Sequence, residues 1–206
     1  MTAKEKDQQI EVTILNAARK VFVQKGYDGA RMQEIADEAG INKALLHYYF
    51  RNKEKLFLAI FVEALESFIP KIGEILQDNS SLFEKIEKIT EVYINMLKLN
   101  PYVPMFILHE LQNHPEFFID ILQNKGGIRP MKVMEQLQKE VNEGKIRPVD
   151  FRQVFVSVIS MCIFPFAAKP LLLGMLFNND EAAWDIFLEE RKKFIPQLIK
   201  ESLKVK

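Results

Sequence analysis

Met32-Gln33-Glu34-Ile35-Ala36-Asp37-Glu38-Ala39-Gly40-Ile41-Asn42-Lys43-Ala44-Leu45-Leu46-His47-Tyr48-Tyr49 is the stretch whose reading decides the fold. Ile35 and Ala36 form the inward pair of a short helix over about residues 32–39. Gly40 provides a tight turn, and Asn42 is a good N-cap for a second short helix over about 43–49. Two short helices joined at a glycine turn make the helix-turn-helix pattern. Upstream, Ile10, Ile14, Leu15, Ala18, Val21 and Phe22 recur at three- and four-residue steps and predict a helix over 8–25, with Gly26 as its C′ residue. Downstream, Asn52 caps a fourth helix that starts at Lys53 and runs towards Phe68, with Pro70 as a kink or stop.

Beyond this head the chain keeps helical periodicity between clear breaks. Asp78-Asn79-Ser80-Ser81 is a loop whose last serine caps a helix over 82–99. Breaks at Asn100-Pro101, His114-Pro115 and Gly126-Gly127 separate segments ending near 113 and 123 from a helix over 130–143. Gly144 closes that helix, and Asp150 with Gln153 reads as a capping box for a long apolar helix reaching about 176. Asn178-Asn179-Asp180 precedes a final helix over 181–204. The expectation is an all-α chain of nine or ten helices without a strand. It divides into an N-terminal helix-turn-helix domain (1–55) and a larger helical domain (56–206).

Composition bounds the function. With 206 residues, 48% hydrophobic and 27% charged, the chain can bury a sizeable core. Formal net charge is zero, and residues 1–60 carry ten Lys/Arg against eight Asp/Glu, so nucleic-acid binding must come from charge placement rather than charge sum. The one cysteine, Cys162, excludes an internal disulfide and reads as a buried structural thiol in a reducing, cytoplasmic setting. Residues 153–168 carry no charge, but this run is shorter than the roughly 20 residues of a membrane span, and Pro165 and Pro170 interrupt it. The expectation is therefore an oligomer interface rather than a membrane segment. There is no nucleophile elbow, phosphate loop, HExxH or paired-cysteine motif, so no enzyme and no cofactor are expected. His109 and His114, beside Glu110 and Glu116, lack metal spacing, and no metal site is expected.

The set Ile14-Leu15-Asn16-Ala17-Ala18, Phe22, Gly26-Tyr27, Met32 to Ala36, Ala39 to Lys43, Leu46 to Phe50, Asn52-Lys53-Glu54 and Leu56 resembles the N-terminal domain of the TetR family of repressors. Gly144 to Asp150 is similar to that family's lead-in to its first dimerisation helix. Ala30 and Arg31 stand where the family usually has the Ser or Thr that starts the second helix. His47 replaces a usual tyrosine, and Ala44 a frequent glycine. The resemblance implies a dimeric regulator that binds a double-stranded DNA operator and responds to a small-molecule inducer. The other class the residues allow is a helical protein-interaction module without DNA binding.

In a helix-turn-helix the second helix enters the major groove. Leu46 and Phe50 are assigned to the core, which leaves Lys43, Ala44, His47 and Tyr48 towards base edges, with His47 donating to a purine N7 or a phosphate. Gln33 reaches a base at the edge of the site, while Arg31, Tyr49 and Lys53 are assigned to phosphates. In the larger domain, Tyr93, Met96, Met105, Phe106, His109, Phe117, Phe118, Met131, Met134, Phe155, Met161 and Phe164 form an aromatic and methionine set. This set is either an adaptable ligand cavity or ordinary core. The last two helices, with Trp184, Phe187, Leu188, Phe194, Ile195 and Leu198 in the second, are expected to pair with their symmetry mates in a homodimer.

Overall fold

The computed structural model describes residues 3–101, 103–104, 108, 115–120, 122 and 130–205, with the side chains of 3, 4, 115, 117, 118 and 130 left aside. Among them are ten helices and no strand: α1 Ala3–Gly29, α2 Met32–Glu38, α3 Lys43–Tyr49, α4 Lys53–Gln77, α5 Leu82–Leu99, α6 Pro115–Asp120, α7 Pro130–Asn142, α8 Phe151–Ala167, α9 Lys169–Phe177 and α10 Glu181–Leu203. Packing divides the chain into two units, one of Met1–Leu65 with Asn100–Val103 and one of Glu66–Leu99 with Pro104–Lys206. The division falls inside α4 rather than at residue 55, because Leu56, Phe57, Ile60 and Phe61 are all buried members of the first unit.

The first unit is built on the face of α1 that carries Ile14, Ala17, Ala18, Val21 and Phe22, all buried, together with Ile35 and Ala36 of α2 and Leu46 of α3. Phe22 meets Phe57 edge-on at 4.8 Å, and Tyr27 meets Phe57 edge-on at 4.9 Å, the geometry aromatic quadrupoles prefer. Gly26 has φ 69°, so α1 breaks its regular helix there and continues only as a short extension to Gly29. Gly40 has φ 67° and closes α2: Ile41 N–H donates to Ala36 O (3.0 Å) and Gly40 N–H to Asp37 O (3.1 Å). Those two bonds are a Schellman motif, which asks for a residue free to adopt left-handed backbone.

The second unit centres on α5, which packs against α8 and α10. Val154, Val158, Cys162 and Phe166 form one buried row of α8, and Trp184, Leu188, Ile195, Ile199 and Leu203 form the buried row of α10. The anchor at the start of α5 is Lys85, whose side chain is only 2% exposed. Its ammonium donates to the carbonyls of Ile75 (3.1 Å), Leu76 (3.0 Å) and Asp78 (2.7 Å), the unpaired end of α4. It also pairs with the Asp78 carboxylate at 3.3 Å.

Two sequence expectations are corrected and a third is narrowed. The long apolar helix over 154–176 is two helices, α8 and α9, bent by 77°. Ala168 leaves the helical region and Pro170 stands in the first turn of α9, where a proline is at home as it is not in a helix interior. No single described helix is long and apolar enough to cross a membrane. Asp150 caps α8 through Arg152 N–H at 2.9 Å and forms an ion pair with the Arg152 guanidinium, so Gln153 completes no reciprocal box. Finally, of the two readings of Pro70, kink or stop, the stop is excluded, because α4 runs through it to Gln77.

Asp78 accepts from Lys88, Ser80 and Lys85, and these bonds, Lys88's foremost, hold its carboxyl well below the usual carboxylate range. A carboxylate depressed on folding adds stability above its unfolded value of about 3.9, and loses it as pH falls through the folded value. Asp78→Asn is therefore expected to lower the urea midpoint at pH 7, with the gap to the parent closing steadily from about pH 4 downward. Urea titrations across that range check it, and a gap independent of pH would refute it. Lys85→Met, which leaves the α4 carbonyls and Asp78 without their cation, is expected to cost about 3 kcal/mol.

Candidate nucleic-acid interface

α3 is fixed at both ends before any DNA is considered. Asn42 adopts extended backbone and its Oδ1 accepts from Leu45 N–H at 2.8 Å, while Phe50 N–H closes on Leu46 O at 2.8 Å. Leu46 and Phe50 are buried, as expected for the core face. The opposite face leaves Lys43, Ala44 and His47 exposed, with Tyr48 78% exposed and meeting Tyr49 edge-on at 5.4 Å. At the start of α2, the place of the missing Ser or Thr is taken by Arg31 in extended backbone. The Glu34 carboxylate reaches back to the Arg31 N–H (3.3 Å) and pairs with Lys25 of α1 at 2.8 Å. The bond with Lys25, first among several, lowers the Glu34 pKa. The Arg31 side chain remains exposed.

The geometry ties two of the residues the sequence placed on phosphates, Lys53 and Tyr49, to groups of their own unit. Lys53 points into its own unit: its ammonium donates to the carbonyls of Tyr27 (2.7 Å), Ala30 (3.3 Å) and Asp28 (3.4 Å). It also lies 4.4 Å from the centre of the Tyr27 ring. It caps the end of α1 instead of waiting for a phosphate, because unpaired carbonyls and an aromatic face both attract a cation. The Tyr49 hydroxyl donates to the Asp7 carboxylate, and that bond pushes its pKa up to about 12. A phenol already held by a carboxylate is poorly placed for a phosphate. Gln33 donates to Asp37 Oδ1 at 2.8 Å, which leaves its amide oxygen as an acceptor.

His47 is corrected in its chemistry rather than its place. Its Nδ1 lies 3.1 Å from Arg51 O, and a carbonyl only accepts, so Nδ1 carries the proton. A neutral His47 then offers Nε2 as an acceptor, suited to adenine N6 or cytosine N4 amino groups rather than to a purine N7. The replacement of tyrosine is visible in the sequence. The partner four residues on, being backbone, carries no residue-type signal.

In the second unit the described members of the aromatic and methionine set differ in burial. Tyr93 and Met96 are buried on α5, Tyr93 meets Phe68 edge-on at 5.1 Å, and Met161 is half-buried on α8. Met131, Met134, Phe155 and Phe164 are exposed. The i, i+4 row of α8 that faces inward is 154, 158, 162 and 166, which turns Phe155 and Phe164 outward. Met105, Phe106 and His109 lie outside the described residues, as do the side chains of Phe117 and Phe118. Of the residues assigned to the dimer on the final helix, Trp184, Leu188 and Ile195 are core, whereas Phe194 and Leu198 are exposed.

A short helix pinned by a glycine turn and an asparagine cap, presenting a lysine, a small residue, a histidine and a tyrosine, defines a helix-turn-helix nucleic-acid-binding domain on an all-helical chain. Residues 14–60 match the model of the family described as bacterial regulatory proteins, tetR family. Over those residues the chain is similar to the N-terminal domain of that family. The HTH-type transcriptional activator FasR of Mycolicibacterium smegmatis is 29% identical over 85 residues, 41% of this chain and 39% of FasR. The chain thus spans about two fifths of the length of that relative. The hemolysin II transcriptional regulator HlyIIR shares the fold over 97% of this chain and 99% of its own, with TM-score 0.58 and 23% identity. AibR, solved in complex with isovaleryl coenzyme A and operator DNA, superimposes with TM-score 0.59 at 26% identity, covering 77% of this chain and 86% of AibR.

The reassignment of Lys53 has a measurable consequence. Lys53→Met is expected to cost about 1–2 kcal/mol of stability through the lost carbonyl bonds, with no change in the slope of log affinity against log salt. Arg31→Ala is expected to leave stability nearly untouched and to flatten that slope by about 0.9, the release of one phosphate contact. Thermal melts and salt-dependent DNA titrations of both variants check the division, and a flattened slope for Lys53→Met would overturn it.

Proposed function

We propose that the chain is a ligand-responsive transcriptional regulator that binds an inverted-repeat operator as a homodimer and represses until a small lipophilic inducer releases it. The observation that carries the reading is the α3 surface, where Lys43, Ala44, His47 and Tyr48 are exposed together on a helix held at both ends. Lys43 can donate to guanine O6 or N7 and Ala44 can meet a thymine methyl. AibR, crystallised with an acyl coenzyme A and operator DNA together, supports reading the second unit as the effector-binding part. A DNA-bound regulator of this kind works in the cytoplasm.

The homodimer is supported by what α8 and α10 leave uncovered. Phe155, Val156 and Phe164 on α8, and Ile186, Phe194 and Leu198 on α10, are each at least 45% exposed. Soluble monomers rarely leave this many large apolar side chains exposed on two helices, and a second copy meeting them through a two-fold axis would cover them. That axis would set two α3 helices about 34 Å apart, one turn of DNA.

Gel shifts with the DNA flanking the gene test the reading. Lys43→Ala and His47→Ala are each expected to cost roughly 1–3 kcal/mol on the cognate site and to relax preference at one base position. Equal losses on cognate and random DNA would defeat the assignment, and no shift at all would favour a protein-interaction module. In sedimentation, the chain is expected at twice its 24.0 kDa mass, and Phe194→Glu at the monomer mass.

A further inference from the structure

Pro165 stands inside α8 without an N–H, so the carbonyl four residues earlier, that of Met161, lacks its helical donor. Arg191 of α10 supplies one: its Nη2 donates to Met161 O at 2.7 Å. That occupies one corner of the guanidinium. Its Nε–H is buried and donates to nothing, and among the described residues the group pairs with no carboxylate. Its pKa is lowered, burial being the main cause. The neighbouring Cys162 supplies no counter-charge, because burial pushes its thiol up to about 12 and keeps it neutral. On α5, the Thr90 hydroxyl is fully buried; it lies near the Cys162 sulfur, a weak partner, and meets no other donor or acceptor.

These two atoms, Thr90 Oγ1 and Arg191 Nε, are the buried side-chain polar atoms without a hydrogen bond among the described residues. They sit on facing helices around one cysteine. Buried donors without partners are uncommon, and two gathered beside one neutral thiol indicate a partner of opposite character. A cation and a hydroxyl with no anion between them make the donor set an oxyanion requires, and an arginine meets a carboxylate with strong, charge-assisted bonds. The surroundings are otherwise apolar: Tyr93 and Met96 are buried on α5 and Val158 on α8, and the Phe187 ring lies 5.3 Å from the guanidinium.

We propose that Arg191 and Thr90 form the anion-binding end of an effector site within the second unit, and that the effector is an organic carboxylate with an apolar body. The Arg191 Nε–H donates to the carboxylate and the Thr90 hydroxyl donates alongside it, while Nη2 keeps its bond to Met161. This rests on the reading of the second unit as the effector-binding part, and assigns that part a ligand class and its polar contacts.

The test uses the full chain, sodium decanoate as probe and decan-1-ol as its uncharged counterpart. Calorimetric titration and thermal melts are expected to show saturable decanoate binding with a rise in melting temperature, and no comparable response to decanol. Thr90→Val, close to isosteric, is expected to raise the melting temperature without ligand, since it removes an unpaired buried hydroxyl, and to weaken decanoate binding at least tenfold. Arg191→Gln, which removes the cation and keeps a polar side chain, is expected to abolish it. A purely structural role for the pair predicts a lower melting temperature in Thr90→Val with unchanged affinity. That result, equal binding of decanol, or no binding of decanoate overturns the proposal. Gel shifts run alongside separate the two readings: decanoate bound through Arg191 without effect on DNA keeps the site and defeats the regulator, whereas release by decanol alone keeps the regulator and defeats the site.

Discussion

Each helix leaves four N–H groups at its start and four carbonyls at its end without internal partners, and a chain built of helices stands or falls on how those groups are met. Here the N–H ends are met by short polar side chains: Asn42 for α3, Asn52 for α4, Ser81 for α5, Asp150 for α8 and Asp180 for α10. The carbonyl ends are met by long cations that come from elsewhere. Lys53 covers the end of α1, Lys85 and Lys132 the end of α4, and Arg147 the end of α10 through Ser202 O. Arg191 performs the same service inside α8, where Pro165 opens the ladder.

That constraint shapes the nucleic-acid face. A cation bonded to backbone carbonyls is not available to a phosphate, so the basic residues of the first unit divide between holding the fold and facing outward. Lys53 holds the fold, Lys20 and Lys25 pair with Glu38 and Glu34, and Arg19 pairs with Glu63. Lys43 and Arg31 remain exposed, as does the aromatic ring of Tyr48 on α3. A small set of outward groups on a rigid helix fits a reader of base edges better than a broad electrostatic patch would, in keeping with the near balance of charge over residues 1–60.

The second unit shows the opposite economy, in apolar surface. α8 and α10 each carry inward apolar side chains and further apolar side chains turned outward; α8 has Arg152 as its one charged residue, whereas α10 sets Ile186, Phe194 and Leu198 among charged neighbours. A helix as apolar as α8 in a soluble protein is either buried in a large core or closed by another copy. The inward rows meet α5, and the outward rows remain uncovered in one chain. Among the described residues, Arg191 and Thr90 hold the buried side-chain polar atoms without a hydrogen bond.

Element type and order were legible in the residues because their causes are local. The Gly40 turn, the Asn42 and Asn52 caps, and the three- and four-residue spacing of apolar side chains each act within one or two turns, and α2, α3 and the caps lie where these signals place them. Even the division of α3 into a core face with Leu46 and an outward face with Lys43, Ala44 and His47 follows from helical period alone. Tertiary structure decided everything that depends on partners far along the chain. Lys53 meets Tyr27 twenty-six residues away and Tyr49 meets Asp7 forty-two residues away, so no local pattern separates a capping lysine from a phosphate-binding one. The same holds for Arg191 and Met161, thirty residues apart, and for which row of α8 faces α5. Sequence determined where helices start, stop and turn, because backbone hydrogen bonding and side-chain period are short-range. Only the packed chain decided which polar groups remain free to act, because that depends on what each one meets across the fold.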